Sequence, residues 1–221
     1  MFWRTILPSL AFTVVLGAVM FAVAGRFDWP GGYAFLAAMG GGGAVMEGWL
    51  TLADPALFKE RHNHKQKKPP YDRVLLPVLF VLFPLWLVYM ALQVRIYGIA
   101  EMPRWANYAG AVAVFLGFVG NISVFRANRF ATAIVKVQAS QTVSDKGPYA
   151  IVRHPMYGLG VLVYFAIPVA LGCWEGLAGA ALMALLLAMR VLFEEAQLKR
   201  ELQGYDAYMT KVRYRLVPYL W

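Results

Sequence analysis

Apolar residues in this chain come in long blocks, not in the alternation of a half-buried strand or the narrow stripe of a soluble helix. A helix needs about 20 mostly apolar residues to cross a bilayer. Six blocks reach or approach that length: roughly Thr5–Gly25, Gly31–Ala53, Val74–Val94, Tyr108–Phe125, Pro155–Gly172 and Gly176–Phe193. The pattern therefore predicts an all-α, polytopic transmembrane helical bundle of about six spans. The first block is longer than the apolar core of a signal peptide and no small-residue cleavage site follows it, so it reads as a span.

The last two blocks are separated only by Cys173-Trp174-Glu175 and flanking glycines. So short a link forces them into an antiparallel helical hairpin. The second block carries the run Gly40-Gly41-Gly42-Gly43, and the third carries Pro77 and Pro84. Small residues let helices approach closely in a bilayer. The glycine run is thus a candidate for tight packing or contact with a second copy and, with a kink at Pro84, for a sideways gap between helices.

The polar links are lopsided. With six spans, eighteen of the 21 lysines and arginines fall on one side, mostly in 53–73, 126–157 and after the sixth block. Only Arg26, Arg95 and Arg104 fall on the other. The positive-inside rule then places both termini and the long loops in the cytoplasm, at a bacterial inner membrane or an endomembrane. The chain is 60% hydrophobic and only 15% charged, against about 25% charged in a soluble domain. Its net charge of +9 therefore speaks for membrane flanks and anionic lipid, not for nucleic acid. Among the basic loop residues, Lys65, Lys67 and Lys68 are expected at anionic lipid, and His62 and His64 in solvent. One cysteine, Cys173, leaves no intrachain disulfide and no cysteine-rich metal site.

Two polar clusters break the apolar pattern. The first is GPYAIVRHPMYGLG, residues 147–160, at the mouth of the fifth block. Gly147-Pro148 marks a turn. Pro155 suits an early helix position, where its missing N–H costs nothing. Arg153 and His154 then stand at a helix mouth, where outward N–H groups favour anions. The plain alternative for Arg153 and Tyr149 is contact with lipid headgroups. His154 has no carboxylate at metal-ligand spacing near it in sequence, and no metal is expected. The second cluster is Arg190 with Glu194 and Glu195 near the end of the sixth block. Arg190 and Glu194 are i,i+4 on one helix face, so a surface salt bridge is the plain reading. Ionisable groups in an apolar helix otherwise face the protein interior. The hairpin brings both clusters to one membrane depth, which describes a pocket for a charged or zwitterionic small molecule. The basic, aromatic tail, residues 198–218, is expected to lie on the membrane surface or to cover that pocket.

These elements, in this order, resemble the isoprenylcysteine carboxyl methyltransferase family and its phospholipid N-methyltransferase relatives. The resemblance rests on the lead-in Gln141 to Gly147, on GPYAIVRHPMYGLG, on the hairpin, on Arg190 with Glu194-Glu195, and on Tyr205, Tyr208 and Arg215 to Pro218. It covers roughly residues 105–218. It divides the chain into three N-terminal spans with a basic loop, 1–104, and a methyltransferase-like core with the hairpin and tail, 105–221. The resemblance implies S-adenosylmethionine as methyl donor, bound at the cytoplasmic end of the hairpin by Tyr149, Arg153, His154, Tyr157 and Glu195. It implies that Arg190 and Glu194 face the cofactor or a lipidic or small hydrophobic acceptor, with an isoprenylcysteine-type carboxylate as first candidate. Ala150-Ile151 departs from relatives that carry a further arginine there.

The chemistry agrees with such a site. Methyl transfer from a sulfonium needs alignment and a desolvated nucleophile more than a metal. A carboxylate acceptor is already ionised and needs a cation to hold it, a task for Arg190. An amine or thiol acceptor must lose a proton, a task for Glu194. Two other readings stay open. A nicotinamide-dependent reductase of steroid-like lipids shares an RHPxY-like element, with asparagine more often where this chain has Met156. A small transporter explains the spans but not the clustered Arg, His and Glu.

Overall fold

A computed structural model describes residues 2–63, 68–98, 102–131 and 141–221. His64, Lys65, Lys67 and Lys136 lie outside the described residues. The helices are α1 (Phe2–Ala24), α2 (Pro30–Ala53), α3 (Pro55–Arg61), α4 (Asp72–Tyr97), α5 (Arg104–Ala127), α6 (Pro155–Leu171), α7 (Gly176–Glu201) and α8 (Tyr205–Lys211), with one 3₁₀ turn at Gly147–Ala150. The described residues thus form an all-helical bundle.

Six of these helices are long, and four of them are long and apolar enough to cross a membrane: α1 from Ile6, α4, α5 and α7. The other two depart from the expected six for separate reasons. At 24 residues α2 is long enough, but its seven glycines dilute its hydropathy. Apolar α6 has only 17 residues, because Pro155 starts it late and Gly172 ends it early. Packing nonetheless closes the six into a ring in the order α1, α2, α5, α6, α7, α4, with α4 returning to α1. Met20, Trp29, Phe35, Leu87, Met90, Val114, Ile167 and Met183 fill its centre.

Close approach of backbones holds the ring. At Gly110 a Cβ would lie 2.5 Å from the Ala170 nitrogen and 2.9 Å from the Ala166 oxygen, so only glycine lets α5 lie against α6. The Gly40–Gly43 run is used in the same way within the chain. Cβ atoms there would meet Thr13 and Ser9 of α1 and Phe115 and Phe118 of α5, at 3.1 Å for Gly40 and 2.9 Å for Gly42. The run is therefore a three-helix contact within the chain.

The hairpin forms as its short link requires. Gly172, at φ 74°, takes the left-handed conformation that ends α6, and its N–H returns to the Pro168 and Val169 carbonyls. Cys173 to Glu175 then complete the turn into α7. Trp86 of α4 donates to the Gly176 oxygen at 3.0 Å, and Trp29 donates to the Leu171 oxygen at 3.1 Å. Each buried indole N–H thus satisfies a backbone carbonyl at that helix end.

Candidate active site

The site lies at the end of the bundle where α6 begins and α7 finishes. Tyr149 sits within the 3₁₀ turn Gly147–Ala150, which opens on Gly147 at φ 55°. His154 then occupies the residue before α6, with Pro155 in the first helical position as expected. The N–H groups of Arg153 and His154 donate to the Tyr214 and Arg215 carbonyls, each at 2.9 Å. The tail after α8 therefore lies along this mouth as a short parallel bridge, Val152 to Tyr214, and takes up the donors that the sequence left open for an anion.

Glu195 ties these pieces together. Its Oε1 accepts from Arg153 Nε at 2.6 Å, and its Oε2 accepts from Arg215 Nε at 2.9 Å. Arg153 also donates through one terminal nitrogen to the Val212 and Arg213 carbonyls, at 2.7 and 2.8 Å. Both Arg153 and Glu195 are buried. A fork of five fixed donors suits this work, which a lysine could not repeat. Arg153 therefore sits inside the protein and does not lie among lipid headgroups. His154 Nε2 is 3.3 Å from Glu195 Oε1 but off the line of a hydrogen bond. The approach counts as a charge contact when the ring is protonated.

Glu194 points the other way, into the pocket. Tyr157 donates its hydroxyl to Glu194 Oε2 at 2.6 Å. The His154 and Tyr157 rings stack at 5.7 Å, 7° from parallel. The face of Tyr157 carries the Arg190 guanidinium at 5.2 Å. Arg190 itself makes a two-pronged pair with Asp72 of α4, Nε to Oδ1 at 2.8 Å and a terminal nitrogen to Oδ2 at 2.9 Å. Asp72 is fully buried. The geometry is the favourable fork-to-carboxylate arrangement.

The pocket has roughly 730 Å³ of empty volume, its open mouth included. Tyr149, His154, Tyr157 and Glu194 line it, with Leu198, Tyr205 and Tyr208 from the end of α7 and from α8. Arg153 reaches the wall as well, whereas Arg190 and Glu195 stand behind it. Tyr208 donates to the Tyr149 carbonyl at 2.7 Å, which pins α8 over the opening. The tail thus covers the pocket. Burial pushes the Tyr149 phenol up to about 12 and raises Tyr205 and Tyr208 as well, so all three rings stay neutral at ordinary pH.

Two parts of the site were not read from the sequence. Asn128 reaches the pocket from the stretch after α5 and carries no pattern that marks it, whereas Thr142 and Ser144 line it from the lead-in on which the resemblance rests. Asp72 did carry a signal, as a carboxylate in the first turn of an apolar span, where an ionisable group usually has an interior partner. On the far side of the wall, Arg61 of α3 donates to the Ala131 carbonyl at 2.6 Å and lies over the Phe125 ring at 4.5 Å. Burial lowers its pKa against the opposing pull of Glu47, Tyr157 and Tyr149.

No curated protein matches the chain. Residues 105–203 match the family model described as phospholipid methyltransferase, a stretch that holds α5 to α7 and every site residue expected from the sequence.

Proposed function

We propose that this protein is an integral membrane methyltransferase that uses S-adenosylmethionine to methylate a lipidic acceptor. One observation carries the reading: a carboxylate, Glu194, is presented to a pocket walled by tyrosine rings and His154, inside the matched stretch. That donor set fits a cationic, amphipathic nucleoside. Aromatic faces and a carboxylate favour a positive sulfonium, and His154 and Arg153 suit its carboxylate end. When bound, S-adenosylmethionine supplies an electrophilic methyl group.

The chain's own residues would then orient, shield and deprotonate. Tyr205 and Tyr208 exclude water from above. Tyr157 holds Glu194 by Oε2, while Oε1, 3.9 Å from His154 Nδ1, would meet the acceptor. Glu195 acts by holding Arg153 and the tail, and Arg190 by holding Tyr157. A lipid amine is the acceptor best suited to this arrangement, because Glu194 attracts an ammonium and can take its proton. The carboxylate acceptor first expected is the second reading. It is favoured by Arg61, a cation beside the pocket wall with no carboxylate salt-bridged to it among the described residues.

Purified protein in mild detergent is titrated calorimetrically with S-adenosylhomocysteine and with NADPH, then incubated with methyl-labelled cofactor and lipid fractions. Micromolar binding of the first ligand alone, with label passing to an aminophospholipid, is the expected result. Label on a prenylcysteine carboxylate selects the second reading. Binding of NADPH alone, or of neither ligand to folded protein, overturns the proposal.

A further inference from the structure

Asp72 lies outside the matched stretch, 118 residues from its partner, yet it is the most deeply buried carboxylate of the described residues. The first turn of an apolar helix is a costly place for it unless its partner matters. That partner, Arg190, lies over the ring of Tyr157, and Tyr157 donates to Glu194. The chain of contacts runs from α4 through α7 and α6 and ends at the carboxylate in the pocket.

We propose that Asp72 is a positioning residue of the pocket: it neutralises and orients Arg190, so that Tyr157 is fixed on Glu194 and the pocket prefers a cationic ligand. This rests on the function proposed above. The charges explain the preference. Around the pocket, Arg153, Arg190 and Arg215 stand against Asp72, Glu194 and Glu195, with Arg61 a further cation beyond the Met156 wall, so losing Asp72 makes these surroundings more positive by one charge. Without Asp72 the Arg190 guanidinium loses its buried carboxylate while still lying over the Tyr157 ring. It competes for the negative charge that a sulfonium or ammonium would otherwise meet. Tyr71, next to Asp72, strengthens the same seam. Its hydroxyl donates to Gln197 at 2.9 Å and its ring stacks on Phe193 at 5.5 Å, so α4 is held in place independently of the ion pair.

The test compares two ligands that differ in one charge, S-adenosylmethionine and S-adenosylhomocysteine, by calorimetry on the full chain. In Asp72→Asn the charged ligand is expected to weaken about tenfold more than the neutral one, the scale of one charge acting across roughly 10 Å at protein-like dielectric. The double variant Asp72→Asn/Arg190→Met should restore the original ratio, and Asp72→Glu should keep it at lower absolute affinity. Equal weakening of both ligands, or an unchanged ratio, overturns the proposal and leaves the methyltransferase reading standing. If Asp72→Asn does not fold, Asp72→Glu and the double variant decide: a shifted ratio in both overturns it. If wild-type protein binds neither ligand, the methyltransferase reading has failed and this one with it.

Discussion

Replacing Glu195 by glutamine should loosen the tail more than the bundle. Its two oxygens meet Arg153 at 2.6 Å and Arg215 at 2.9 Å, with side-chain exposures of 4% for Arg153 and 29% for Arg215. Leaving a buried partner unpaired costs about 3–5 kcal/mol. The half-open Arg215 pair adds no more than about 1 kcal/mol. Glutamine keeps one acceptor oxygen, so a loss of about 3 kcal/mol is the reasonable figure, or roughly a hundredfold in an equilibrium. That loss falls on one seam, because Arg153 also holds the Val212 and Arg213 carbonyls and the tail pairs with the α6 mouth. The open state there should grow while the ring of six helices stays packed. Limited trypsin digestion in detergent, followed by mass spectrometry, reads this directly. Cleavage after Lys211, Arg213 and Arg215 should accelerate by ten- to a hundredfold, with cleavage after Arg73 unchanged. Affinity for S-adenosylhomocysteine should fall at least tenfold, since Tyr205 and Tyr208 leave the pocket with the tail. Tail cleavage within threefold of wild type, together with normal affinity, would refute the assignment of this ion pair as the clamp.

Tyr157→Phe removes one charge-assisted hydrogen bond to Glu194, worth about 1.5–3 kcal/mol. Methyl transfer should drop at least tenfold, measured with labelled cofactor, and the melting temperature should fall by several degrees. His154→Ala should weaken S-adenosylhomocysteine at least tenfold by calorimetry, since the ring lines the pocket and stacks on Tyr157. Gly110→Val drives side-chain atoms into the α6 backbone, so the detergent-purified variant should run as aggregate on size exclusion, whereas Gly41→Ala, whose Cβ would meet only Phe115 at 3.9 Å, should stay monodisperse. The Tyr149 phenol is pushed up to about 12, so the unfolded chain ionises first. Its contribution to stability should be complete below pH 10 and disappear as pH rises through about 12, with tyrosinate absorbance appearing correspondingly late.

Much of this architecture depends on local information, and that part was legible in the chain. Blocks of apolar residues make helices wherever water is absent, because every backbone polar group must be satisfied within its own segment. The hairpin followed from a link too short for anything but an antiparallel return, and it brought Arg153 and His154 to Glu194 and Glu195. Pro155 as the first residue of α6 followed from its missing N–H. Three things waited for the tertiary structure. Arg190 had two ways to satisfy its charge, an i,i+4 carboxylate or a distant one, and only the packing of α4 on α7 brought Asp72 within reach. The glycine run was equally consistent with a gap, a second copy or a close contact, until α1 and α5 were found against it. The pocket's roof came from a tail whose amphipathic pattern suits a membrane surface and a protein surface alike. Hydropathy reports that a residue leaves water, but it carries no record of which neighbour it meets, and buried ion pairs, close helix contacts and lids are all decided by that neighbour.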